Sequence, residues 1–471
     1  MNGNPPRLTS RREALCRMSA GFGMAALGGI LGDSLRAAPG PEASPWAPRQ
    51  PHFPAKAKNV IFLFLNGGLS QIDSFDHKPL LEKYDGKPLP YETPPTEFTT
   101  GNLMKSPFAF KRYGQSGVEV SELFPRVGEM IDHFCIIRSM QADIPNHGPS
   151  MLLMNTGHNQ PGRPSMGSWI TYGLGSDNQN LPGFVVLAPG RGNSAQLYNS
   201  AFLPTVYQGT FISHEETDPA KQIQFLSSDQ TAGPRQRRQL ALLQDLNRSH
   251  LDRQQGDLPE LEAAIQSMEV AFRMQTEAPE VFDVRKESPE TLERYGPGHF
   301  ARGCLMARRL VESGVRIVEV YYGSDNDWDS HVDILAQRRL SALSDPPIAA
   351  LIQDLKERGL FDETLVLVGS EFGRTPVLHI GGAASVQNGR DHNIHGFTYL
   401  LAGGGVKGGC IYGATDDFGF KVAENPVHVH DLHATVLHLL GIDHEKLTYR
   451  YSGRDFRLTD VHGKVVSEII A

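Results

Sequence analysis

The sequence predicts an α/β protein with a doubly wound, mostly parallel central sheet that is flanked by helices. Continuous apolar runs of strand length recur along the chain, as expected for strands buried on both faces of a parallel sheet. In the second half these runs alternate with helical patterns, which is typical of parallel sheets covered by helices. With 471 residues, the chain is long enough for one large domain or two ordinary ones.

The composition is that of a globular protein, with 39% hydrophobic and 21% charged residues. The net charge of −8 disfavours nucleic acid as the main partner, because nucleic-acid-binding proteins usually present a basic face. Cys16 lies in the N-terminal segment, and the three remaining cysteines are widely spaced, so they form no disulfide framework and no metal motif. Cys135 lies in an apolar strand-like run and is expected to be a small buried hydrophobe.

Residues 1–38 are predicted to be a twin-arginine export signal. The pattern SRREAL begins at Ser10, a glycine-rich apolar stretch covers residues 18–32, and small residues suited to cleavage end at Ala38. The apolar stretch is shorter than the ~20 residues that a membrane span needs, and no later stretch is long enough. We therefore expect a periplasmic or extracellular protein whose mature chain has no transmembrane segment.

A single α/β domain is predicted at 58–471, after a proline- and alanine-rich linker at 39–57. Residues 85–120 are predicted to form a long surface excursion. Residues 234–276 place apolar side chains on one helix face, and we interpret 234–300 as a helical insertion. The predicted strands are 59–65, 134–138, 184–187, 316–321, 364–369 and 397–402. The predicted helices of the second half are 300–313, 347–358 and 431–440.

Another helix is predicted from the stretch NHGPSMLLMNTG, which begins at Asn146. Pro149 suits the first helical turn, and Gly157 suits the left-handed position past the helix end. His147 would then lie beside free backbone N–H groups, where a phosphate or sulfate binds well. We predict His147 as nucleophile or general base, with Asn146 and Ser150 as substrate-binding residues. The alternative is a buried helix with a capped end.

Polar residues of metal-ligand type follow several predicted strands. Because the carboxyl ends of parallel strands converge on one crevice, we expect these residues to meet. Carboxylates and imidazoles together suit Zn²⁺ or another divalent ion. The predicted ligands of the main ion are Asp327 or Asp329, His331 and His392. Glu371 and Asn66 are predicted to complete a second, weaker ion site or to orient the water. Arg374 or Arg390 is predicted to neutralise an anionic substrate. The alternative for the whole set is solvated loop charge.

The motifs taken together resemble a known family. They read NVIFLFLNGGLSQIDSFD, WDSH, SEFGRTP, GRDH and LLAGGGVKGG. The chain most closely resembles the domain of unknown function 1501 family, an exported, sulfatase-like group within the wider alkaline phosphatase superfamily. The resemblance covers residues 58–460 and implies a hydrolase of phosphate or sulfate esters. It also implies a divalent ion (Zn, Mn or Ca) and, as partner, a small anionic ester or a sulfated or phosphorylated polymer.

The chain departs from the sulfatase pattern at several positions. Where sulfatases carry a Cys or Ser that matures to formylglycine, this chain has His147, so the resemblance implies a mechanism without formylglycine. The superfamily's first-strand Asp is Asn66 here, and its later Asp-His or Asp-Asn pair is Glu371-Phe372. One of the two usual metal sites therefore loses a charge and a ligand.

Two functions remain open on these grounds. The first is an extracytoplasmic hydrolase that uses one divalent ion to polarise the ester or to lower the pKa of a bound water. The second is a catalytically degenerate binding or scaffold protein that keeps the fold, with residues 234–276 as its partner surface. Fold resemblance alone does not decide between these two functions.

Overall fold

A computed structural model describes residues 46–190, 194–218, 222, 278–381 and 388–471. The predicted export signal and the helical core of the predicted insertion lie outside the described residues. So does the first part of the predicted linker, up to residue 45.

The helices and strands of the described residues are labelled here in chain order. The α-helices are α1 (Pro79–Lys83), α2 (Pro125–Glu129), α3 (His147–Thr156), α4 (Met166–Leu174), α5 (Pro289–Tyr295), α6 (His299–Glu312), α7 (Ala336–Glu357) and α8 (Val429–Leu439). The strands of the first half are β1 (Asn59–Phe64), β2 (Thr100–Leu103), β3 (Phe110–Tyr113), β4 (Val118–Ser121), β5 (Phe134–Gln141), β6 (Phe184–Ala188) and β7 (Thr210–Ser213). The later strands are β8 (Ile317–Tyr321), β9 (Thr364–Gly369), β10 (Gly373–His379), β11 (Arg390–Asn393), β12 (Phe397–Ala402), β13 (Cys410–Tyr412), β14 (Ala414–Thr415), β15 (Val422–Glu424), β16 (Val427–His428), β17 (Tyr449–Tyr451) and β18 (Arg454–Phe456).

The central sheet has the strand order β13–β5–β12–β9–β1–β8–β6–β7, and β16 also pairs with β5. Strand β12 runs antiparallel to both of its neighbours, β5 and β9. The other pairings in this sheet are parallel. The prediction of a mostly parallel sheet is confirmed. Strands β5, β9, β1 and β8 therefore run in the same direction, and their carboxyl ends lie at one edge of the sheet.

Helices cover both faces of the sheet. The Tyr321 hydroxyl donates to Asn155 Oδ1 at 3.1 Å, so α3 lies on the Tyr321 face of β8. Gly303 of α6 lies so close to Val320 that a Cβ there would be 2.8 Å from its Cγ1. Because neighbouring residues of a strand point to opposite faces, α3 and α6 cover opposite sides of the sheet. The continuous apolar runs in the sequence reflect this burial on both sides.

Strand β8 contains one carboxylate inside the apolar core. Glu319 is fully buried, and one of its oxygens lies 3.4 Å from the Tyr321 hydroxyl oxygen. Burial raises the pKa of Glu319 to about 8, although the Tyr321 hydrogen bond acts in the opposite direction. The carboxyl group is therefore mostly protonated in the folded protein at neutral pH.

Helix α7 begins at Ala336, so the prediction that a helix starts at residue 347 was wrong. Pro346 and Pro347 lie inside the helix. Proline normally breaks a helix because it lacks an N–H donor. Here α7 packs against α6, α5 and α2, and the Asp345 carboxylate accepts from the backbone N–H groups of Arg126 and Val127 at 2.9 and 2.8 Å. Tertiary packing outweighs the local proline signal.

The predicted surface excursion at 85–120 contains β2, β3 and β4. Strand β2 pairs with β10, which also pairs with β11, so these three strands form a small antiparallel sheet. His392 was expected to follow a strand, but it lies within one, since Arg390–Asn393 is itself a strand of this sheet. The small sheet brings two polar segments next to the carboxyl edge of the central sheet.

The described part of the predicted linker packs on the domain. Trp46 is only 5% exposed, and the Arg49 N–H donates to the Leu174 carbonyl at 2.8 Å. Cys135 is buried as predicted, and it lies in register with Cys410 of the neighbouring strand. Within the described ranges, no helix combines the length and the apolar composition that crossing a bilayer requires.

Candidate metal centre

Several polar side chains meet where parallel strands end. His147 begins α3 shortly after β5, and Glu371 follows β9 directly. Asp329 and His331 lie in the loop after β8, whereas His392 lies within β11 of the small sheet. Convergence of strand ends at one edge is the usual place for a ligand site in an α/β protein. The predicted convergence of His147, His331 and His392 is therefore present in the structure.

Three imidazoles surround the Asp329 carboxylate. His147 Nε2 lies 3.3 Å from Asp329 Oδ2. On the other oxygen, Oδ1 is 3.1 Å from His331 Nε2 and 3.3 Å from His392 Nε2. The Nε2 atoms of His331 and His392 are 2.9 Å apart. All three rings thus turn the same ring nitrogen towards one carboxylate.

Two further carboxylates hold the outer side of these rings. Glu371 Oε1 lies 2.6 Å from His147 Nδ1, and Glu97 Oε2 lies 2.6 Å from His392 Nδ1. The Pro145 carbonyl also lies 2.5 Å from His392 Nδ1. In metal sites, a ligating histidine usually donates its other N–H to a carboxylate or carbonyl, which fixes the ring and leaves the inner nitrogen free for the ion. His147 and His392 have this arrangement.

The residues present fit a divalent ion. His147 Nε2 is buried and completes no hydrogen bond among the described residues. His147, Asp329 and His392 each offer one ligand atom, and these atoms lie within 4.8 Å of one another. Ligands ~2.0–2.1 Å from a tetrahedral zinc ion are about 3.3–3.4 Å apart. His147 Nε2 and His392 Nε2 each lie 3.3 Å from one Asp329 oxygen, Oδ2 and Oδ1 respectively. The Asp329 side chain is 28% exposed, so the group is open to solvent.

The charges of the group shift the pKa values of its members. Burial alone would raise the pKa of Asp329, but the facing imidazoles of His147 and His392 and the charge of Arg374 hold it well below its usual range. Burial would lower the pKa of His147, yet Asp329 and Glu371 outweigh burial and raise that pKa to about 9. Burial and the charge of Arg374 lower the pKa of His331 to about 3, so its ring is neutral.

Two of the predicted metal ligands lie apart from this group. Asn66 Oδ1 accepts from the Gly323 N–H at 3.1 Å, and its Nδ2 donates to the Gly323 carbonyl at 3.4 Å. The Asp327 carboxylate lies against Gly323, and burial raises its pKa. The structure therefore favours Asp329 over Asp327 and corrects the placement of Asn66, which holds the loop after β8.

Glu371 also lies outside the inner ring of ligands. Its two oxygens accept from the Gly67 N–H at 3.0 and 3.2 Å, in addition to facing His147. Gly67 has a φ of 115°, and a Cβ at this position would lie 2.6 Å from the Trp328 backbone nitrogen. Only glycine allows the turn after β1 to approach the loop after β8 this closely. Glu371 thus orients His147 and joins three strand ends.

The two arginines of which one was predicted to neutralise an anionic substrate are both fully buried and used internally. Arg374 Nη2 donates to Asp329 Oδ1 at 2.7 Å, and its Nε donates to the Gly68 carbonyl at 3.0 Å. Arg390 donates to both oxygens of Asp73, at 2.8 and 3.2 Å. The sequence-based role of both arginines in binding substrate is corrected, because their donors are committed to protein acceptors. Arg374 positions Asp329, and Arg390 anchors the small sheet.

The two predicted substrate-binding residues at the start of α3 also have protein partners. Asn146 Nδ2 donates to Glu97 Oε1 at 3.2 Å. Ser150 is 1% exposed, and its hydroxyl donates to the Ile144 carbonyl. Ser150 is therefore a structural residue of the first turn, whereas Asn146 supports the carboxylate that faces His392.

Sequence reasoning missed three members of the neighbourhood. Glu97 belongs to the 85–120 excursion, where a carboxylate in a polar loop gives no signal. His379 ends β10, and its Nδ1 lies 3.3 Å from His331 Nδ1. Asp391 was visible next to His392 but was not assigned a role. The antiparallel pairing of β10 with β2 and β11 brings these residues to the site, and single-sequence patterns do not reveal that pairing.

Comparison with solved structures found proteins of the alkaline phosphatase superfamily and sulfatases. A protein in the alkaline phosphatase superfamily from Vibrio parahaemolyticus has 10% identity and a TM-score of 0.38, covering 85% of this chain and 70% of that chain. The PsFucS1 sulfatase from Pseudoalteromonas sp. has 12% identity and a TM-score of 0.35, covering 83% and 68%. The lipoteichoic acid synthase LtaP from Listeria monocytogenes has 11% identity and a TM-score of 0.35, covering 86% and 76%. Likeness at this level says nothing about what this protein binds or converts.

A search of curated proteins found no match. The family comparison covers nearly the whole predicted domain, since residues 57–470 match. The resemblance that the sequence motifs indicated is confirmed, and the chain belongs to the family described as protein of unknown function (DUF1501).

Proposed function

We propose that the protein is an extracytoplasmic, metal-dependent hydrolase of phosphate or sulfate esters that does not use formylglycine. The observation that supports this proposal is the group of His147, Asp329 and His392 at the carboxyl edge of the sheet. Each residue offers one ligand atom within 4.8 Å of the others, and the group is open to solvent. An inner ring with three protein ligands and an open position is typical of catalytic rather than structural metal sites.

The first ion is proposed to lie between His147 Nε2, Asp329 and His392 Nε2. A divalent ion there would supply Lewis-acid polarisation of an ester oxygen. Glu371 holds the N–H of His147, and Arg374 holds Asp329, so the ligands are fixed before anything binds. This assignment replaces the sequence-based role of His147 as nucleophile or general base, because both ring nitrogens face carboxylates.

The start of α3 favours an anionic substrate beside the ligands. Pro149 has no N–H, but the N–H groups of His147 and Gly148 are in the first turn, where no intrahelical acceptor exists. The positive end of the helix dipole adds to this preference for a negative group. A phosphate or sulfate ester at this point would have its anionic oxygens near the helix N-terminus and its reacting oxygen near the ligand group.

Export through the twin-arginine route is part of the proposal. It rests on the pattern beginning at Ser10 and on the apolar stretch at 18–32. The test is the size and location of the chain in a native host, with a variant in which Arg11 and Arg12 are both replaced by Lys. Retention of the variant inside the cell supports export by this route, whereas unchanged export contradicts it.

Hydrolysis is tested with the purified full chain, freed of metal and then supplied with Zn²⁺, Mn²⁺ or Ca²⁺. Aryl phosphates and aryl sulfates are the substrates, and product release is followed by absorbance. We expect metal-dependent turnover that Asp329→Asn and His392→Ala abolish. His438→Gln, on the far end of α8, is the matched control and should keep full activity.

The rival function is a binding protein that keeps the fold without catalysis. It predicts metal binding without turnover of either substrate class under any of the three ions. That result would reject the hydrolase. A protein that binds no divalent ion at all would reject the metal centre as well.

A further inference from the structure

His331 faces two separate groups of side chains. Its Nε2 lies 3.1 Å from Asp329 Oδ1, on the side of the proposed first ion. Its Nδ1 lies 3.3 Å from His379 Nδ1 and 3.8 Å from Asp391 Oδ1, on the opposite side of the ring. His331, His379 and Asp391 each offer one atom within 4.8 Å of the others. This second group contains two residues that the first group does not use.

Asp391 is a buried carboxylate without a strong cationic partner. It has no exposed surface, and its oxygens accept from the backbone N–H groups of His392 and Phe98, both at 2.8 Å. Among the residues that the structure describes, no lysine or arginine forms an ion pair with it, and His331 at 3.8 Å is its ionic contact. A buried charge of this kind is costly unless a cation approaches it.

The two imidazoles lie beside this carboxylate. His379 is 3% exposed, and its Nδ1 faces His331 Nδ1 at 3.3 Å. Phe98 covers both rings, with centroid distances of 5.2 Å to each, so solvent is partly excluded from this side. The group therefore combines two imidazole nitrogens with one carboxylate in a shielded position.

The spacing suits a small transition-metal ion. Two ligands ~2.0–2.1 Å from a tetrahedral zinc ion are about 3.3–3.4 Å apart, and the two Nδ1 atoms are 3.3 Å apart. Two imidazoles and one carboxylate form a donor set that zinc commonly accepts, whereas Ca²⁺ and Mg²⁺ prefer oxygen ligands alone. The group therefore favours Zn²⁺ or a similar ion over the hard cations.

We propose that His331 Nδ1, His379 Nδ1 and Asp391 Oδ1 hold a second divalent ion of the zinc class. The His331 Nε2–H then donates to Asp329 Oδ1, so one imidazole is a ligand of the second ion and a hydrogen-bond donor to a ligand of the first. Its meaning for catalysis rests on the proposed function, but the existence of the second site does not, because metal content tests it directly.

The experiment counts zinc in the purified full chain after dialysis against a small excess of Zn²⁺ and removal of free ion. We expect two zinc ions per chain in the wild type. His379→Gln and Asp391→Asn should each keep one ion, and His147→Gln should also keep one because it affects the other site. The control His438→Gln should keep two, and circular dichroism confirms that each variant is folded.

The outcomes separate the two proposals. One zinc ion in the wild type that His379→Gln leaves in place overturns the second site and leaves the proposed function intact. Two ions in both His379→Gln and Asp391→Asn overturn the assignment of these residues. No bound ion in the wild type rejects both proposals. If both variants unfold, the zinc counts of the wild type and of His147→Gln test the proposal. A fall from two ions in the wild type to one in His147→Gln supports the second site. A count of one in the wild type rejects it.

Discussion

Two buried clusters of ionisable side chains differ in how their charges are compensated. On the α6 and α7 side, Arg308 is 1% exposed and pairs with Glu287 at 2.7 Å, Glu312 at 2.5 Å and Asp354 at 2.8 Å. Arg358 adds a second cation that reaches Asp354 at 2.8 Å. At the carboxyl edge of the sheet, carboxylates face mainly histidines, whose charge is not permanent: the pKa of His331 is lowered to about 3, whereas that of His147 is raised to about 9.

The difference separates a structural network from a candidate site. In the first cluster, called here the arginine cluster (Arg308, Arg358, Glu287, Glu312 and Asp354), permanent cations lie against carboxylates and neutralise them within the protein. The second cluster, called here the histidine cluster, consists of His147, His331 and His392 with the carboxylates that face them. Among the described residues, Arg374 is the one arginine that pairs with Asp329, Glu371 or Glu97, and His147 Nε2 has no hydrogen bond. Incomplete compensation that opens to solvent favours a cation from outside, whereas full compensation favours stability.

The largest effect is expected at the carboxylate that three imidazoles face. Asp329→Asn removes the charge that holds the proposed first ion, and we expect zinc affinity on the order of 1000-fold weaker, beyond the ~10–100-fold that outer-shell replacements cost. Competition titration with a zinc chelator measures it. Unchanged zinc affinity in Asp329→Asn would contradict the assignment of the histidine cluster as a metal site.

The next largest effect is expected on stability, in the arginine cluster. Arg308→Met leaves Glu287 and Asp354 largely buried without their main partner, so we expect the free energy of unfolding to fall by about 3 kcal/mol, with zinc binding unchanged. Urea denaturation measures the first quantity. Arg338→Met, which removes an exposed pair with Glu122, is the matched control and should cost less than about 1 kcal/mol. Equal losses in the two variants would contradict a structural role that depends on burial.

Glu319 is a further buried carboxylate that, among the residues the structure describes, has neither arginine nor histidine beside it, and it sharpens the comparison through pH. The folded pKa of Glu319 is raised to about 8, above the value of 4.5 for an unperturbed carboxyl. Its contribution to stability is therefore fully present below about pH 4.5 and is lost as the pH rises towards 8. Glu319→Gln lacks this loss, so we expect it to be more stable than the wild type by about 2–3 kcal/mol near pH 7.5 and similar near pH 5. Thermal melts across this pH range measure the difference. If melting temperature depends on pH in the same way in the two proteins, the raised pKa of Glu319 is contradicted.

The smallest expected effect lies at the outer side of the histidine cluster. Glu97→Gln keeps the size of the side chain but weakens its hold on His392 Nδ1, so we expect zinc to bind about 10–100-fold more weakly. Glu122→Gln, just after the same excursion and paired with Arg338, is the control and should not change zinc affinity. The chelator titration used for Asp329 measures both variants. If Glu97→Gln binds zinc as tightly as the control, Glu97 does not support the metal site, and the 85–120 excursion only shields it from solvent.

The sequence predicted the site residues that follow strands of the central sheet. It did not predict the site residues that reach the same place through strand pairing in the small sheet. His147 and His331 follow β5 and β8 closely, so convergence of parallel strands was enough to expect them together. Glu97 and His379 reach the same place through the pairing of β2, β10 and β11. Pairing partners far apart in sequence leave no periodic signal in either segment.

The sequence by itself determined the fold class, the family and the edge of the sheet where the site lies, because buried parallel strands require continuous apolar runs and place their following residues together. Only the tertiary structure decided which polar groups are free to bind. Arg374, Arg390 and Asn66 have the right chemistry for a site, but their hydrogen bonds are already used by Asp329, Asp73 and Gly323. Availability of a donor or acceptor depends on its neighbours in space, and one sequence does not encode those neighbours locally.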